Sequence, residues 1–359
     1  MFDNLLIAVK ANISTIRSII KTNEKMREID FENVSLYTEE TKTILMNIFQ
    51  DIPDKNNSRV YDQCAVVTRL YAIYESFVED LIRDWLILLP SLYPDYSDLD
   101  SKIRNTHKNG VGRLLQEIQD EEENDEDKSQ ENKRYSHLSI EKVVQGLFDG
   151  KTGKHNYQLL PDAFLFHQQN LREGTLGKLL ADAGIDKTGS WLVNHRDIKN
   201  FLKEIRGNQT TLEKELNILI SYRNDAAHST KTEDWLGFKP LLELCDFVES
   251  LCQALTELVT HQVLDHKKLI GQAQEIGRIT RWYDQIQVAV LKPSDNCLLS
   301  VGGSLFLVGD SYCQLAKIES IRNQDNESIN EIETTPGMEV KLKFDIDARK
   351  NLCLYQLIT

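Results

Sequence analysis

The residues whose types and spacing could do chemistry together are Arg223, Asn224 and His228, in the stretch Ser221-Tyr222-Arg223-Asn224-Asp225-Ala226-Ala227-His228. A guanidinium is permanently charged and presents a fork of N–H donors that fits a phosphate. An imidazole is the side chain suited to moving protons near neutral pH. Together they meet the needs of RNA cleavage without a metal. A base takes the proton of the ribose 2′-hydroxyl, and that oxygen attacks the adjacent phosphorus. An acid protonates the departing 5′-oxygen, and a cation stabilises the charge on the phosphate. The product is a 2′,3′-cyclic phosphate, and DNA, which has no 2′-hydroxyl, is not cut. In this scheme His228 is base or acid, Arg223 holds the phosphate bidentately, and Asn224 donates to a phosphate oxygen or orients the histidine. An R-x4-H spacing also recurs by chance. The bland alternative pairs Arg223 with a carboxylate and sets His228 against the end of a helix dipole.

The residues must be held by a helix. Thr210 and Glu213 have the spacing of a capping box, and Leu212, Leu216, Leu219 and Ile220, with Ala226 and Ala227, trace one apolar face that ends at the motif. On an ideal helix Arg223 and His228 lie about 140° apart, so one regular helix does not converge them. Either the helix unwinds before His228, or two copies of the motif meet across a two-fold axis. The dimer is the expected solution, because it also supplies two histidines, one for each proton transfer.

Around this helix the chain reads as a bundle. Apolar residues recur at helical spacing over 4–28, 36–50, 60–89, 101–120, 139–147, 175–183, 195–206 and 238–268, with Pro90 and Pro94 expected to stop the third helix. Beyond Arg281 the pattern changes. Ile286–Leu291, Cys297–Val301, Ser304–Val308, Cys313–Ile321, Met338–Phe344 and Leu352–Leu357 are short β-rich runs separated by Gly and Pro turns, the pattern of a small closed barrel. The reading is mainly α: a helical domain over 1–270, a linker at 271–283 and a β-barrel over 284–359.

Composition narrows the function. The 359 residues carry a net charge of −14, and the run at about 117–133 holds nine acidic side chains against Lys128 and Lys133, as expected of a solvated loop. The barrel region from Asp284 has eleven acidic to seven basic residues. RNA contact must therefore be confined to a local basic site. Six cysteines show no metal-ligand spacing and read as free thiols in a reducing cytoplasm, and no apolar run is long enough to span a membrane. Gly146-Leu147-Phe148-Asp149-Gly150-Lys151-Thr152 is one residue short of a nucleotide-binding loop and follows no buried strand, so it reads as a Gly-rich turn. No cofactor or metal is implied. Glu75, His107 and His167 read as structural or surface residues.

The stretch Leu216–His228 resembles the signature helix of the HEPN superfamily, in which an arginine followed by a polar residue precedes a histidine. Thr68–Val78 resembles the first core helix of the toxin-type, RiboL-PSP-like branch, and His167–Leu171 with Leu176–Ile185 resembles its middle helices. The resemblance implies an up-and-down helical domain, a homodimer and a metal-independent endoribonuclease acting on tRNA, rRNA or mRNA. Such proteins serve in toxin–antitoxin or anti-phage defence, with an antitoxin or trigger protein as partner. Catalytic roles carry over only to Arg223, Asn224 and His228. Val308-Gly309-Asp310, Ala316–Ile321 and Pro336–Leu342 resemble the second, β-barrel domain of translational GTPases such as elongation factor Tu, which implies binding of tRNA or a protein rather than GTP hydrolysis. The competing reading is a non-catalytic dimerisation or nucleotide-sensing scaffold whose barrel binds a partner.

Overall fold

The computed structural model describes residues 2–28, 38–50, 54–124, 135–153, 157–167, 169–228 and 236–358. Among the described residues ten α-helices come first: α1 (Asp3–Arg27), α2 (Glu39–Gln50), α3 (Lys55–Leu92), α4 (Ser101–Asn124), α5 (Ile140–Lys151), α6 (Glu173–Asp182), α7 (Thr188–Asn194), α8 (Arg196–Asn200), α9 (Leu212–His228) and α10 (Phe238–Leu269). Nine strands follow: β1 (Ala273–Tyr283), β2 (Val288–Pro293), β3 (Leu298–Ser300), β4 (Ser304–Gly309), β5 (Tyr312–Arg322), β6 (Ser328–Ile329), β7 (Glu331–Glu333), β8 (Val340–Phe344) and β9 (Cys353–Leu357).

The long helices α3 and α10 are apolar on broad faces and form the centre of the bundle. Leu70, Tyr74, Leu81, Ile82, Leu86 and Leu89 of α3 are fully buried, as are Val248, Leu251, Cys252, Leu255 and Val259 of α10. α1 lays Leu6, Val9, Ile13, Ile16 and Ile20 onto the same core. It is clamped to α10 by Arg17, which bonds Asp246 and Glu249 at 2.6 Å each. Pro90 does not stop α3, which continues to Leu92. A proline in the last turn forfeits one ladder bond, and Tyr93 N–H still closes onto the Leu89 carbonyl.

In the barrel the strands run β4-β9-β1-β2-β8-β5, and pairing of β4 with β5 closes a six-stranded ring. Ile276, Ile279, Leu291, Leu305, Leu307, Leu342 and Leu354 fill it. The stretch 271–283 read as a linker is instead largely strand β1, paired with both β2 and β9. Its polar residues alternate with Ile276 and Ile279, and Gly277 lets the backbone approach so closely that a Cβ would lie 2.3 Å from the Lys292 carbonyl oxygen. Nor is the barrel separated from the helices. Ala273, Phe306, Val308, Cys313 and Tyr355 belong to the same apolar cluster as the bundle core.

Three further readings change. Helix α4 extends to Asn124, so the first part of the acidic run is helical, and 125–134 lie outside the described residues. The Gly146–Lys151 stretch is helix α5 rather than a turn. Gly146 is there because a Cβ would meet the Gln158 carbonyl oxygen at 2.3 Å. The cap of α9 is Thr211, whose hydroxyl accepts from Lys214 N–H at 3.3 Å, one residue beyond the predicted Thr210. The segments Asp51–Pro53 and Ser229–Asp234 lie outside the described residues. Among the described residues, no helix is long and apolar enough to cross a membrane.

Candidate active site

Helix α9 buries Leu212, Leu216, Leu219 and Ile220, packing chiefly against α3 and also touching α6. Ala226 is partly buried, while Ala227, expected on the same face, is exposed. Burial of this stripe fixes the rotation of the helix, and that rotation decides where Arg223 and Asn224 go. Both are half-buried and line a cleft of about 660 Å³ between α3, α9 and the loop before α6, with Glu75, Glu79, His167, Gln169, Asn170 and Arg172. A second, larger groove of about 970 Å³ shares Arg172 and Asn224 with it and continues along α9 past Asn217, Ser221 and Lys214.

Each cleft residue is held by named partners. Arg223 Nη1 donates to Asn224 Oδ1 at 3.1 Å, and Asn170 Nδ2 donates to the same oxygen at 3.1 Å. The Asn224 carbonyl oxygen therefore orients the arginine, and its amide N–H group is the part that can donate to a phosphate. The Arg223 guanidinium lies 5.2 Å from the Tyr71 ring centre, a cation–π contact that helps to set its plane. The Tyr71 hydroxyl donates to Glu75 Oε1 at 2.9 Å and accepts from Leu171 N–H at 3.0 Å. Burial raises its phenol well above the ordinary value, so it remains a neutral donor. The Tyr74 hydroxyl donates to the Leu171 carbonyl at 3.0 Å. These two tyrosines satisfy the Leu171 peptide groups that a helix would otherwise pair, and His167 and 169–171 are accordingly non-helical, against the helix the resemblance implied, with 168 outside the described residues. Arg172 is bonded through Nη1 to Asn217 Oδ1 of α9.

His167 is the residue the sequence reading undervalued. Its Nε2 stands 2.8 Å from Glu79 Oε1, and its Nδ1 stands 3.3 Å from the Gln169 carbonyl oxygen. The bond to Glu79 raises the imidazole above its ordinary pKa, against the opposing effect of burial. The sequence reading named Glu75 alone, and the four-residue spacing of Glu75 and Glu79 on α3 is the signal that points to the pair. Nothing in the aperiodic His167–Arg172 segment says which helix face it will cover. His107 is structural, as expected. It is fully buried, its Nε2 accepts from Leu160 N–H at 3.3 Å, and its Nδ1 lies 3.2 Å from the Tyr96 hydroxyl. Burial pushes it down to about 4.

Helix α9 is regular through His228. The unwinding that would bring Arg223 and His228 together within one chain is therefore not adopted. The two positions stay about 140° apart around the helix. Arg223 and Asn224 share a cleft, and His228 lies on another face.

Among the described residues, one group could offer a metal three ligand atoms: His195, Asp197 and Glu257, at the junction of bundle and barrel. Those atoms already serve the fold. His195 Nδ1 accepts from Asp197 N–H at 3.3 Å, which leaves the ring proton on Nε2, 3.2 Å from Glu257 Oε2. Glu257 accepts from Cys313 N–H at 3.0 Å, from the Gln314 amide, and from Gln253 at 2.9 Å. Asp197 Oδ1 accepts from Arg196 Nε at 2.8 Å, so both carboxylates of the set are engaged, while the buried His195 Nε2 makes no hydrogen bond among the described residues.

A helical bundle of this kind is the architecture of the HEPN class. The chain belongs to the RiboL-PSP-HEPN family, whose model matches residues 32–261. Membership points to a nuclease or another RNA-directed role. No curated protein matches the chain. Two solved structures, the C-terminal domain of a Geobacillus thermoleovorans chain described as a U32 peptidase and its selenomethionine variant, each match 23% of this chain at 14% identity and a TM-score of 0.21. They are covered over 91% and 99% of their own lengths, respectively. At that score the likeness carries no argument.

Proposed function

We propose that the protein is a metal-independent endoribonuclease that works as a two-fold dimer, with Arg223 and Asn224 of one protomer facing the partner's His228. The observation that carries this reading is the cleft: Arg223 is oriented by Asn224, Asn170 and the Tyr71 ring but makes no ion pair among the described residues. A guanidinium held in this way retains its charge for a ligand anion. The regular course of α9 adds the second half of the reading. An arginine and a histidine on different faces of one helix can act on the same phosphate only when a second copy supplies one of them.

In the reaction, Arg223 and the Asn224 amide bind the non-bridging phosphate oxygens and gain strength as charge accumulates there. The partner's His228 removes the 2′-hydroxyl proton. The overall acidic charge confines RNA to this site and its neighbouring groove, and a toxin or defence effector regulated by a partner protein is the biological role that fits such an activity.

Purified wild type, Arg223→Ala and His228→Ala are compared on tRNA, rRNA and mRNA with EDTA present. Cleavage to 2′,3′-cyclic phosphate ends by the wild type alone is expected, with both variants folded and dimeric. Full activity in folded His228→Ala defeats the reading. A wild type that cuts no RNA leaves the dimerising scaffold, a view favoured by the two carboxylates, Glu75 and Glu79, in the cleft.

A further inference from the structure

The proposed chemistry needs two proton transfers, and the partner's His228 accounts for one. The Arg223 cleft contains a second candidate within the same chain. His167 comes from the loop before α6, Glu79 from the face of α3 that also carries Glu75, and Arg223 from α9, so three separate elements meet at one opening. A histidine placed only for stability would be expected to lie closed off, as His107 does. His167 instead lines the cleft while its Nε2 is fixed by a carboxylate. Its Nδ1 has only a long contact, 3.3 Å from the Gln169 carbonyl oxygen. A carboxylate on one ring nitrogen fixes the ring's orientation and stabilises the imidazolium, and the other nitrogen is then the one that can hand over a proton.

We infer that His167 is the general acid of RNA cleavage, delivering its Nδ1 proton to the departing 5′-oxygen, with Glu79 as the positioning residue that holds it. The inference rests on the ribonuclease reading above. In the step, the 2′-oxygen forms its bond to phosphorus as the partner's His228 takes the 2′-proton. The P–O5′ bond breaks with its electron pair moving to O5′, and the His167 Nδ1 proton is transferred to that oxygen. His167 is left neutral and is reprotonated from solvent.

The charged groups facing His167 are Glu75 and Glu79 from α3, Arg172 from its own loop and Arg223 from α9. The two arginines oppose the imidazolium. Glu79, in direct hydrogen bond, and Glu75 support it, and against the effect of burial the imidazole is raised above its ordinary pKa. A group serving as acid sets the falling, alkaline limb of a pH–rate profile. Replacing Glu79 by Gln removes the charge that favours the imidazolium, so that limb should move to lower pH.

The test uses full-length wild type, His167→Ala, His167→Gln and Glu79→Gln, each checked for its melting transition. Two short RNA substrates are cut, one normal and one with sulfur in place of the 5′-bridging oxygen, whose thiolate departs without a proton. His167→Ala and His167→Gln should lose about a hundred- to ten-thousand-fold in kcat on the normal substrate, the range for losing one proton-transfer group. They should return close to wild-type rates on the sulfur substrate, and Glu79→Gln should show the shifted alkaline limb. Equal losses on both substrates, or an unmoved limb in Glu79→Gln, would overturn the assignment. If wild type cleaves in a His228-dependent way while both His167 variants match it, this inference alone fails. If wild type cleaves nothing, it falls with the ribonuclease reading.

Discussion

At the scale of residues, the cleft depends on hydroxyls and amides as much as on charges. Tyr71 is the clearest case, because one oxygen serves Glu75 on its own helix and the Leu171 N–H across the cleft, while its ring supports Arg223. Tyr71→Phe keeps the ring and removes the oxygen. It should cost about 1–3 kcal/mol by leaving a buried N–H unpaired, read as a lower urea midpoint, and should raise the KM for RNA by loosening the His167–Arg172 loop. An unchanged midpoint would show that the loop is held by other means. His107 gives a separate pH prediction. The unfolded chain takes up a proton on this imidazole near 6.5, whereas the folded protein resists until about 4. Between those values the unfolded state binds more protons, so stability must fall as the pH drops from 6.5 toward 4, by up to about 3 kcal/mol from this group. Urea midpoints at pH 7 and 4.5 measure it. His107→Gln, which keeps an acceptor for Leu160 N–H, should show a shallower loss, and an identical slope would contradict the assignment.

At the scale of elements, much was legible and the exceptions have physical causes. The stripes of α1, α3 and α10 are strongly periodic, and apolar burial decides such helices on its own. The Arg223-Asn224 pair could be placed because it continues the stripe of α9. The cleft's other wall could not, since the His167–Arg172 loop has no period and its course is fixed by two tyrosine hydroxyls far away in sequence. Strand β1 was missed for a similar reason: its alternation is interrupted by the bulges at Glu275/Gly277 and Ile279/Arg281. The junction between bundle and barrel was also hidden, because it turns on Glu257, a carboxylate 1% exposed in the middle of an apolar helix face. By accepting from Cys313 N–H and the Gln314 amide it ties α10 to β5. Glu257→Ala should cost about 1–3 kcal/mol for each buried donor left unpaired. Limited proteolysis should then release the barrel near residue 270 while the wild type resists, and equal resistance would show that the shared apolar core alone holds the joint.

At the scale of the whole molecule, an unbroken α9 means that the proposed ribonuclease site is complete only with a second chain. The barrel is joined to the bundle by a common core, and α10 packs beside α3 of the cleft. The net charge of −14 argues that RNA is admitted locally rather than gathered over the surface. The central claim is that Arg223 of one protomer and His228 of its partner form one site, and subunit mixing tests it most directly. Arg223→Ala and His228→Ala proteins, each inactive alone, are unfolded together and refolded so that heterodimers form. The account predicts that RNA cleavage returns in the mixture, because each heterodimer pairs an intact Arg223 from one chain with an intact His228 from the other. A mixture that forms heterodimers and remains as inactive as its parents would contradict it.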